Sequence, residues 1–377
     1  MRLTDEQRLL RDMARAFAQK ELAPHAADWD RTARFPKAAL AELGRLGFMG
    51  MLVPAEYGGA GADHVSYALA IEEIAAGDGA TSTILSVSAL CCGALLQYGS
   101  DEQKGRFLRP LATGEKLAAF CLTEPHAGSD AAAIKTRARR RGNRWILSGT
   151  KQFITSGSTA QLALVFAVTD PAAGRHGISA FLVPTDATGY RVTRLEKKLG
   201  QRASDTAQLS FDDIELAPDQ MLGSEGEGYK IALANLEAGR IGIAAQAVGM
   251  ARAAYEAAVA YAKERESFGQ KLIAHQAVAF RLADMATQIA AARGLVRDAA
   301  ERRDAGEPAL EAAAMAKLFA SEMAERVASD AVQIHGGYGY VEGFPVERIW
   351  RDVRVCQIYE GASDIQRMLI AREIARR

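Results

Sequence analysis

A long stretch with β-strand character lies between two helical regions, and this order limits the folds that the chain can adopt. From about Ala118 to Pro218, short runs rich in β-branched and aromatic residues are broken by Gly, Asn, Pro and Asp, for example at Gly142-Asn143. Short strands at this spacing predict an antiparallel β-domain. Strands and helices do not alternate, so a Rossmann domain is not expected. The sequence therefore predicts an α+β protein in the order α, β, α.

Apolar residues at helical spacing mark both flanking regions. Three pairs have the composition of a capping box: Thr4 with Gln7, Ser100 with Gln103, and Ser363 with Gln366. Helices are expected at about 36–46, 64–76, 81–98, 229–263, 275–303 and 308–334, with a last one after Ser363. We therefore expect an N-terminal helical domain over 1–117, a middle β-domain over 118–222 and a C-terminal four-helix-bundle domain over 223–377.

Composition excludes several classes of function. The 377 residues contain 46 Lys+Arg and 46 Asp+Glu, so no net charge favours a nucleic acid or an acidic membrane surface. The apolar runs look too short or too interrupted to span a bilayer. The four cysteines form no CxxC pair and the six histidines are scattered, so no metal site is expected. The N-terminus lacks a secretory signal. We expect a cytoplasmic bacterial protein, with a processed mitochondrial matrix enzyme as the alternative.

Two segments could lie against a flat ligand. Segment 120–130 (FCLTEPHAGSD) combines the hydroxyls of Thr123 and Ser129 with small residues, so its backbone can approach a ring closely. Segment 149–156 (GTKQFITS) places Phe153 and Thr155 on one face of a strand, where one could cover a ring and the other bond to its edge. An ordinary turn and an ordinary surface strand would look the same.

Two further segments lie near the C-terminus. Segment 333–339 (QIHGGYG) could present backbone N–H groups to a phosphate, although a glycine C-cap explains it equally well. In segment 359–364 (YEGASD), Glu360 comes just before a predicted helix, whose N-terminus favours negative charge. For Glu360 to act as a base near neutral pH, an apolar pocket must raise its pKa against this dipole. The alternative is a solvated residue that complements the dipole.

Together and in this order, these segments resemble the acyl-CoA dehydrogenase family over nearly the whole chain. Residues 47–59 (GFMGMLVPAEYGG) resemble its early loop, 122–130 its first signature, and 333–337 with 358–361 its second. The resemblance implies an N-terminal helical domain, a middle β-barrel and a C-terminal helical bundle, assembled as a homotetramer (a dimer of dimers). It also implies FAD as the cofactor, an acyl-CoA as the substrate and an electron-transfer flavoprotein as the electron acceptor.

The resemblance also assigns site residues. FAD contacts are expected, partly from a neighbouring subunit, at Phe120, Leu122, Thr123, Gly128, Ser129, Phe153, Ile154, Thr155, Arg265, Phe268, Gln276, Gln333, Gly336, Gly337, Ala362 and Asp364. Contacts to the substrate are expected at Ser129, Glu237, Arg240, Gly361 and Arg372. Three positions depart from the usual pattern: Ala362 replaces a Thr, Phe153 replaces a Trp, and Glu237 replaces the Asp of many relatives.

Glu360 is the catalytic base that the resemblance implies. One branch of the family takes its base from the position of Gly239, which has no acidic side chain here. Glu360 would remove the pro-R α-proton of a short, medium or branched acyl-CoA while the β-hydrogen leaves as a hydride to the flavin, giving a trans-2-enoyl-CoA. The backbone N–H of the base and a ribityl hydroxyl would donate to the thioester oxygen.

Two other functions stay open on the same residues. One is a flavin-dependent acyl-CoA oxidase or monooxygenase on the same scaffold, because sequence motifs do not report how oxygen reaches a flavin. The other is a non-catalytic acyl-CoA-binding flavoprotein, which the presence of Glu360 disfavours.

Overall fold

Helices form the N-terminal region of the computed structural model, which describes residues 3–377. Within this range, the first region contains α1 (Asp5–Phe17), α2 (Ala23–Thr32), α3 (Lys37–Arg45), α4 (His64–Gly77), α5 (Gly79–Tyr98), α6 (Asp101–Gln103) and α7 (Arg109–Ala112). Single π-helical turns join α1 to α2 and α6 to α7. The predicted capping boxes at Thr4 and Ser100 are confirmed.

Five helices form the C-terminal region: α8 (Gly228–Glu264), α9 (Gln276–Asp304), α10 (Leu310–His335), α11 (Pro345–Val353) and α12 (Ser363–Ile374). The ends of the three long helices lie within two residues of the predicted ones. The predicted capping box at Ser363 is wrong, because α12 begins at Ser363 and Ala362 is its N-cap residue. The Gln366 side chain instead donates to the carbonyl of Gly361 at 2.8 Å.

The middle region is a sheet of short strands, as predicted. Its strands are β1 (Ala118–Cys121), β2 (Arg137–Arg141), β3 (Arg144–Thr155), β4 (Leu162–Val168), β5 (Ile178–Pro184), β6 (Tyr190–Leu195), β7 (Thr206–Leu216) and β8 (Met221–Leu222). A separate two-stranded ribbon, β9 (Glu266–Ser267) with β10 (Gln270–Lys271), lies between α8 and α9.

The strand pairing differs from the predicted antiparallel barrel. The order is β6-β7-β3-β2-β4-β5-β8, with β1 beside β4. The sheet is mixed, because β1 runs parallel to β4 and β2 meets β4 in one parallel pair, Arg137 with Val168. Parallel pairing of β1 and β4 is possible because β2 and β3 form a long connection between them. Among the described strands no pairing joins β6 to β8, so the predicted barrel is not confirmed.

One hydrophobic core joins the two helical regions, although the sheet separates them in sequence. Phe17 and Ile71 from the first region are buried in the same cluster as Ile243 of α8 and Met323 of α10. Burial of apolar surface is the main favourable contribution to folding. The two helical regions therefore depend on each other for a complete core.

Helix α5 is a core helix of the fold. Its length and mean hydropathy of 1.6 would suit a membrane span, so the prediction that no apolar run is long enough is wrong for this helix. However, 78% of its apolar window is buried inside the protein. Packing against the other helices and the sheet accounts for its composition.

Two buried glutamates of α4 link four helices. Glu73 accepts from Arg15 of α1 (2.8 Å) and from Arg252 of α8 (2.6 Å). Glu72 forms a two-point ion pair with Arg293 of α9, at 2.6 and 3.0 Å. Because both glutamates are almost fully buried, each arginine offsets the cost of removing a carboxylate from water.

Replacing Glu73 with Gln should destabilise the protein by about 3 kcal/mol, because Arg15 and Arg252 lose a buried anionic partner. The midpoint of guanidinium unfolding measures this loss. The matched control is Glu256→Gln, since Glu256 also pairs with Arg252 but its side chain is 58% exposed. The control should cost less than about 1 kcal/mol. Equal losses in the two variants would contradict a special role for the buried pair.

Candidate active site

The turn that carries Glu360 has a strained backbone. Glu360 (φ 50°) and Gly361 (φ 89°) both lie in the left-handed region. A residue with a side chain adopts this region at a cost of about 1–2 kcal/mol. The turn lies between a 3₁₀ helix, Arg354–Gln357, and α12. Such strain persists only where the surrounding contacts hold it in place.

Tyr359, directly before Glu360, is tied to three parts of the fold. Its hydroxyl donates to Oε1 of Gln246 in α8. Nε2 of Gln246 donates to Oγ1 of Thr83 in α5 at 2.6 Å, and Thr83 donates to Oε1 of Gln201 in the β-domain at 2.5 Å. Both helical regions and the β-domain therefore fix the position of this turn.

One oxygen of the Glu360 carboxylate, Oε2, is buried without a hydrogen-bond partner among the described residues. It lies over Gly239, where a Cβ atom would collide with Oε2 and lie 2.9 Å from Cδ2 of Leu90. Burial raises the pKa of Glu360 to about 7, while the charges of Lys317 and Arg240 oppose this rise. Burial thus outweighs the neighbouring cations.

A cavity of about 210 Å³ has Gly239 in its wall. It is formed by the loop after α3, by α4 and α5, by the first half of α8 and by Arg303 near the end of α9. Most of its wall is apolar: Phe48, Met49, Leu52, Ala89, Leu90 and Leu96. The polar part of the wall comes from His64, Tyr67, Ser86, Gln97, Asn235 and Arg303. The base position therefore adjoins a pocket suited to a hydrocarbon chain.

Arg240 follows Gly239 in α8 and is the second buried polar group of the site. It is 5% exposed, and its Nε and Nη1 atoms have no partner among the described residues. Burial lowers its pKa, whereas Glu237 and Glu360 raise it and the charge of Arg372 lowers it further. The structure thus brings together Glu360 and four of the predicted substrate residues, Glu237, Arg240, Gly361 and Arg372. Glu237 itself is paired with Arg303 at 3.3 Å.

A buried ion pair holds the first signature segment against β3. Nζ of Lys151 donates to Oε1 of Glu124 (2.8 Å) and to the carbonyl of Leu122 (2.9 Å). Glu124 also accepts from the backbone N–H of Thr136 at 3.0 Å. The backbone N–H of Gln152 donates to the carbonyl of Thr123 at 2.9 Å. Two of the predicted flavin-binding segments are therefore adjacent.

Phe153 lies at a β-bulge. The register of β3 against β7 shifts between Lys151 and Ile154, and Phe153 has a φ of 59°. The alternation rule that placed Phe153 and Thr155 on one face does not hold across a bulge. Phe153 is 63% exposed while Ile154 is buried. The bulge thus turns an aromatic ring outwards beside the first signature segment.

The remaining predicted site residues differ in exposure. Gly128, Ser129, Phe153, Arg265, Phe268, Gln276, Gln333, Gly336, Gly337, Asp364 and Arg372 are exposed; Phe120, Thr123, Thr155, Glu237, Gly361 and Ala362 are half-buried; Leu122 and Ile154 are buried.

The residues around β3 fit a flavin. An exposed aromatic ring, at Phe153, lies near the hydroxyl-bearing residues Thr123 and Thr155, which suits a flat ring with polar edges. A Cβ atom at Gly336 or Gly337 would meet nothing within 4 Å, so that turn leaves room for a ligand at its backbone. Within residues 3–377, by contrast, no group of three His, Cys, Asp or Glu side chains could hold a metal ion.

A second group of predicted residues lies around the connection of α8 to α9. The Arg265 guanidinium lies 5.8 Å from the ring centre of Tyr338, in the glycine turn after α10. Phe268 is 97% exposed and meets the ring of His275, directly before Gln276, edge to face. No hydrogen bond, ion pair or ring contact joins this group to Glu360 in the described part of the chain.

The sequence analysis missed Lys317. This residue of α10 is fully buried, and its Nζ donates to the carbonyl of Gly361 at 2.5 Å. Ala313, Ala314 and Ala320, at helical spacing from it, are all fully buried. A lysine on the apolar face of a predicted helix was the available signal, since lysine is almost never fully buried without a partner.

Models of three acyl-CoA dehydrogenase domains match the chain: the N-terminal domain over residues 4–115, the middle domain over 119–214 and the C-terminal domain over 226–375. An acyl-CoA dehydrogenase of Bacillus subtilis is 49% identical, with 99% of this chain and 98% of the relative aligned.

Two solved structures have the same fold. A chain described as electron transferring flavoprotein of Acidaminococcus fermentans superposes with a TM-score of 0.99 at 46% identity, covering all of both chains. Butyryl-CoA dehydrogenase from Megasphaera elsdenii has a TM-score of 0.98 at 43% identity, covering 100% of this chain and 99% of the other. With all three domain models matched and a near-complete alignment at this identity, the chain belongs to the acyl-CoA dehydrogenase family of oxidoreductases.

Proposed function

We propose that the protein oxidises a saturated short-chain acyl-CoA to the trans-2-enoyl-CoA, with Glu360 as the base that removes the α-proton. The observation that carries this proposal is the unpaired Oε2 atom of Glu360 beside Gly239, at the wall of an apolar cavity. A base must be free to accept a proton and must have a pKa near the working pH. The pKa of Glu360, raised to about 7 by burial, meets this requirement.

FAD, when bound, would accept the β-hydrogen as a hydride. Phe153, Thr155 and the 120–129 segment would hold its ring, and the group around Arg265 and the 333–337 turn would hold its nucleotide half, partly across a subunit boundary. Ala362 offers no hydroxyl to it, so any contact there is made by backbone. A cofactor site shared across a subunit boundary would require at least a dimer, and the homotetramer remains our proposal.

Groups of the chain itself can stabilise the negative charge that develops at the thioester. Removal of the α-proton places negative charge on the thioester oxygen, and donors aimed at that oxygen lower the barrier. Within residues 3–377, the backbone N–H of Glu360 donates to no other group, so it can serve as such a donor. Arg240 keeps a buried positive charge close to the base. The apolar wall excludes water from the reacting atoms.

The short-chain assignment draws on the cavity and on the relatives. Phe48, Met49 and Leu52 contribute bulky side chains to the cavity wall. The butyryl-CoA dehydrogenase of similar structure acts on a short acyl group, by its name. An electron-transfer flavoprotein is the proposed electron acceptor; in support, the match from Acidaminococcus fermentans comes from a structure described as electron transferring flavoprotein.

A flavin-dependent oxidase on the same scaffold is the second candidate. A prolyl acyl carrier protein oxidase shares this fold with a TM-score of 0.95 at 31% identity. The two functions differ in how the reduced enzyme treats oxygen, so aerobic turnover without an added acceptor separates them.

Anaerobic addition of saturated acyl-CoAs should bleach the flavin absorbance of the wild-type enzyme, fastest with the short chains. Glu360→Gln should lower the rate by at least about 10²-fold, because the amide of glutamine cannot take the α-proton. Flavin binding and the unfolding midpoint should stay unchanged in this variant. If the flavin is bound and no acyl-CoA bleaches it, the protein is not a dehydrogenase. Equal bleaching by the variant would remove Glu360 from the base role.

The rate of flavin reduction should rise with pH through about 7. Only the ionised carboxylate accepts a proton, and burial raises the pKa of Glu360 to about 7. Below this value the rate should fall about tenfold for each pH unit. A rate that stays constant between pH 5.5 and 8, about one and a half units below and one unit above that pKa, would contradict the buried-base assignment.

Gly239→Ala should lower the rate of flavin reduction by about 10- to 100-fold, because the added Cβ displaces the Glu360 carboxylate. The unfolding midpoint should change little, since the atoms that must move are the ends of the Glu360 and Leu90 side chains. Gly294→Ala in α9 is the matched control, because a Cβ there meets nothing within 4 Å. A wild-type rate in Gly239→Ala would show that the carboxylate does not react from this position.

A further inference from the structure

Lys317 is a buried cation with no ion-pair partner. Its side chain is fully buried on the apolar face of α10. Among the described residues its Nζ has one hydrogen bond, to the neutral carbonyl of Gly361 at 2.5 Å, and no carboxylate forms an ion pair with it. Burying an ammonium without an ion-pair partner carries a large desolvation penalty. A charge kept at such a cost usually has a role beyond packing.

The acceptor of this hydrogen bond lies in the turn that carries Glu360. The Gly361 carbonyl accepts from Lys317 at 2.5 Å and from Nε2 of the buried Gln366 at 2.8 Å. Glu360 and Gly361 are consecutive residues in the left-handed region. Two donors on one carbonyl restrict the peptide plane between Gly361 and Ala362, one residue after Glu360. The pair of contacts therefore fixes the strained turn that aims Oε2 at Gly239.

The charge of Lys317 also acts on the carboxylate. The charged and titratable groups that face Glu360 come from four elements: Lys317 on α10, Arg240 on α8, Tyr67 on α4 and Cys356 on the 3₁₀ helix before the turn. Burial raises the pKa of Tyr67 and of Cys356, so both are neutral where Glu360 titrates. Burial lowers the pKa of Lys317 to about 8, so the ammonium is still charged there. Lys317 and Arg240 are therefore the two cations that favour the ionised base.

We propose that Lys317 is a positioning residue for Glu360, which holds the 360–361 turn through the Gly361 carbonyl and uses its buried charge to keep the carboxylate ionised. This inference rests on the proposed role of Glu360 as the base. Without the ammonium, burial is opposed by Arg240 alone and the pKa of Glu360 rises further. Gln366 donates to the same carbonyl but carries no charge. A change at Gln366 therefore tests the holding of the turn separately from the effect of the charge.

The test compares the pH dependence of anaerobic flavin reduction in four variants of the holoenzyme. Lys317→Met and Lys317→Gln remove the charge. The acid limb of the pH–rate profile, where the rate falls as Glu360 is protonated, should therefore move to a pH about one unit higher. Lys317→Arg keeps a cation, so its limb should stay at the wild-type pH. Gln366→Leu removes a neutral donor, so the rate should fall at every pH with the limb unmoved. If Lys317→Met does not fold, Lys317→Gln, which keeps a polar donor, supplies the result.

A second readout does not depend on turnover. The infrared band of the protonated Glu360 carboxyl, assigned by its loss in Glu360→Gln, can be titrated in each variant. Its midpoint should rise in the two neutral Lys317 variants and stay in Gln366→Leu. A wild-type acid limb and infrared midpoint in both neutral variants would overturn the proposal, as would an equal shift in Lys317→Arg. Undiminished reduction by Glu360→Gln would instead overturn the base assignment.

Discussion

The shared hydrophobic core of the two helical regions is the constraint on which the site depends. Helices α4 and α5 precede the sheet in sequence and α8 follows it, yet they pack in one cluster. The cavity exists because the first half of α8 is held against α4 and α5. Gly239 lies on that part of α8, so the same packing places the pocket wall under the Glu360 carboxylate. Neither helical region could form this pocket alone.

Local patterns predicted much of the fold. Hydrophobic periodicity gave the long helices because their apolar faces repeat over many turns, and the side chains of Thr4 and Ser100 cap helices through contacts three residues away. The parallel pairing of β1 with β4 could not be predicted, because it joins residues far apart in sequence. Ser363 has the composition of a capping residue, but Gln366 is drawn to the Gly361 carbonyl. Competing tertiary contacts overrode the local signal.

In the candidate site, too, the sequence predicted some features and left others to tertiary contacts. The sequence identified Glu360, Arg240 and the signature segments, because these carry the family resemblance. The sequence could not tell whether the pKa of Glu360 is raised or lowered, since that depends on burial by residues from α4, α8 and α10. It also could not give the bulge at Phe153, which arises from an extra residue in β3 relative to β7. Chemistry was readable from residue types, whereas electrostatics required the assembled fold.

The strained turn at Glu360 links these observations. Left-handed backbone at two successive positions is unfavourable in an isolated segment. Tyr359 is anchored to Gln246 on one side of the turn, and the Gly361 carbonyl is anchored to Lys317 on the other. Each anchor belongs to a helix of the shared core. The energy that holds Glu360 in place therefore comes from core packing, which explains why a short glycine-containing segment can keep a carboxylate oxygen buried and unpaired against Gly239 in the pocket wall.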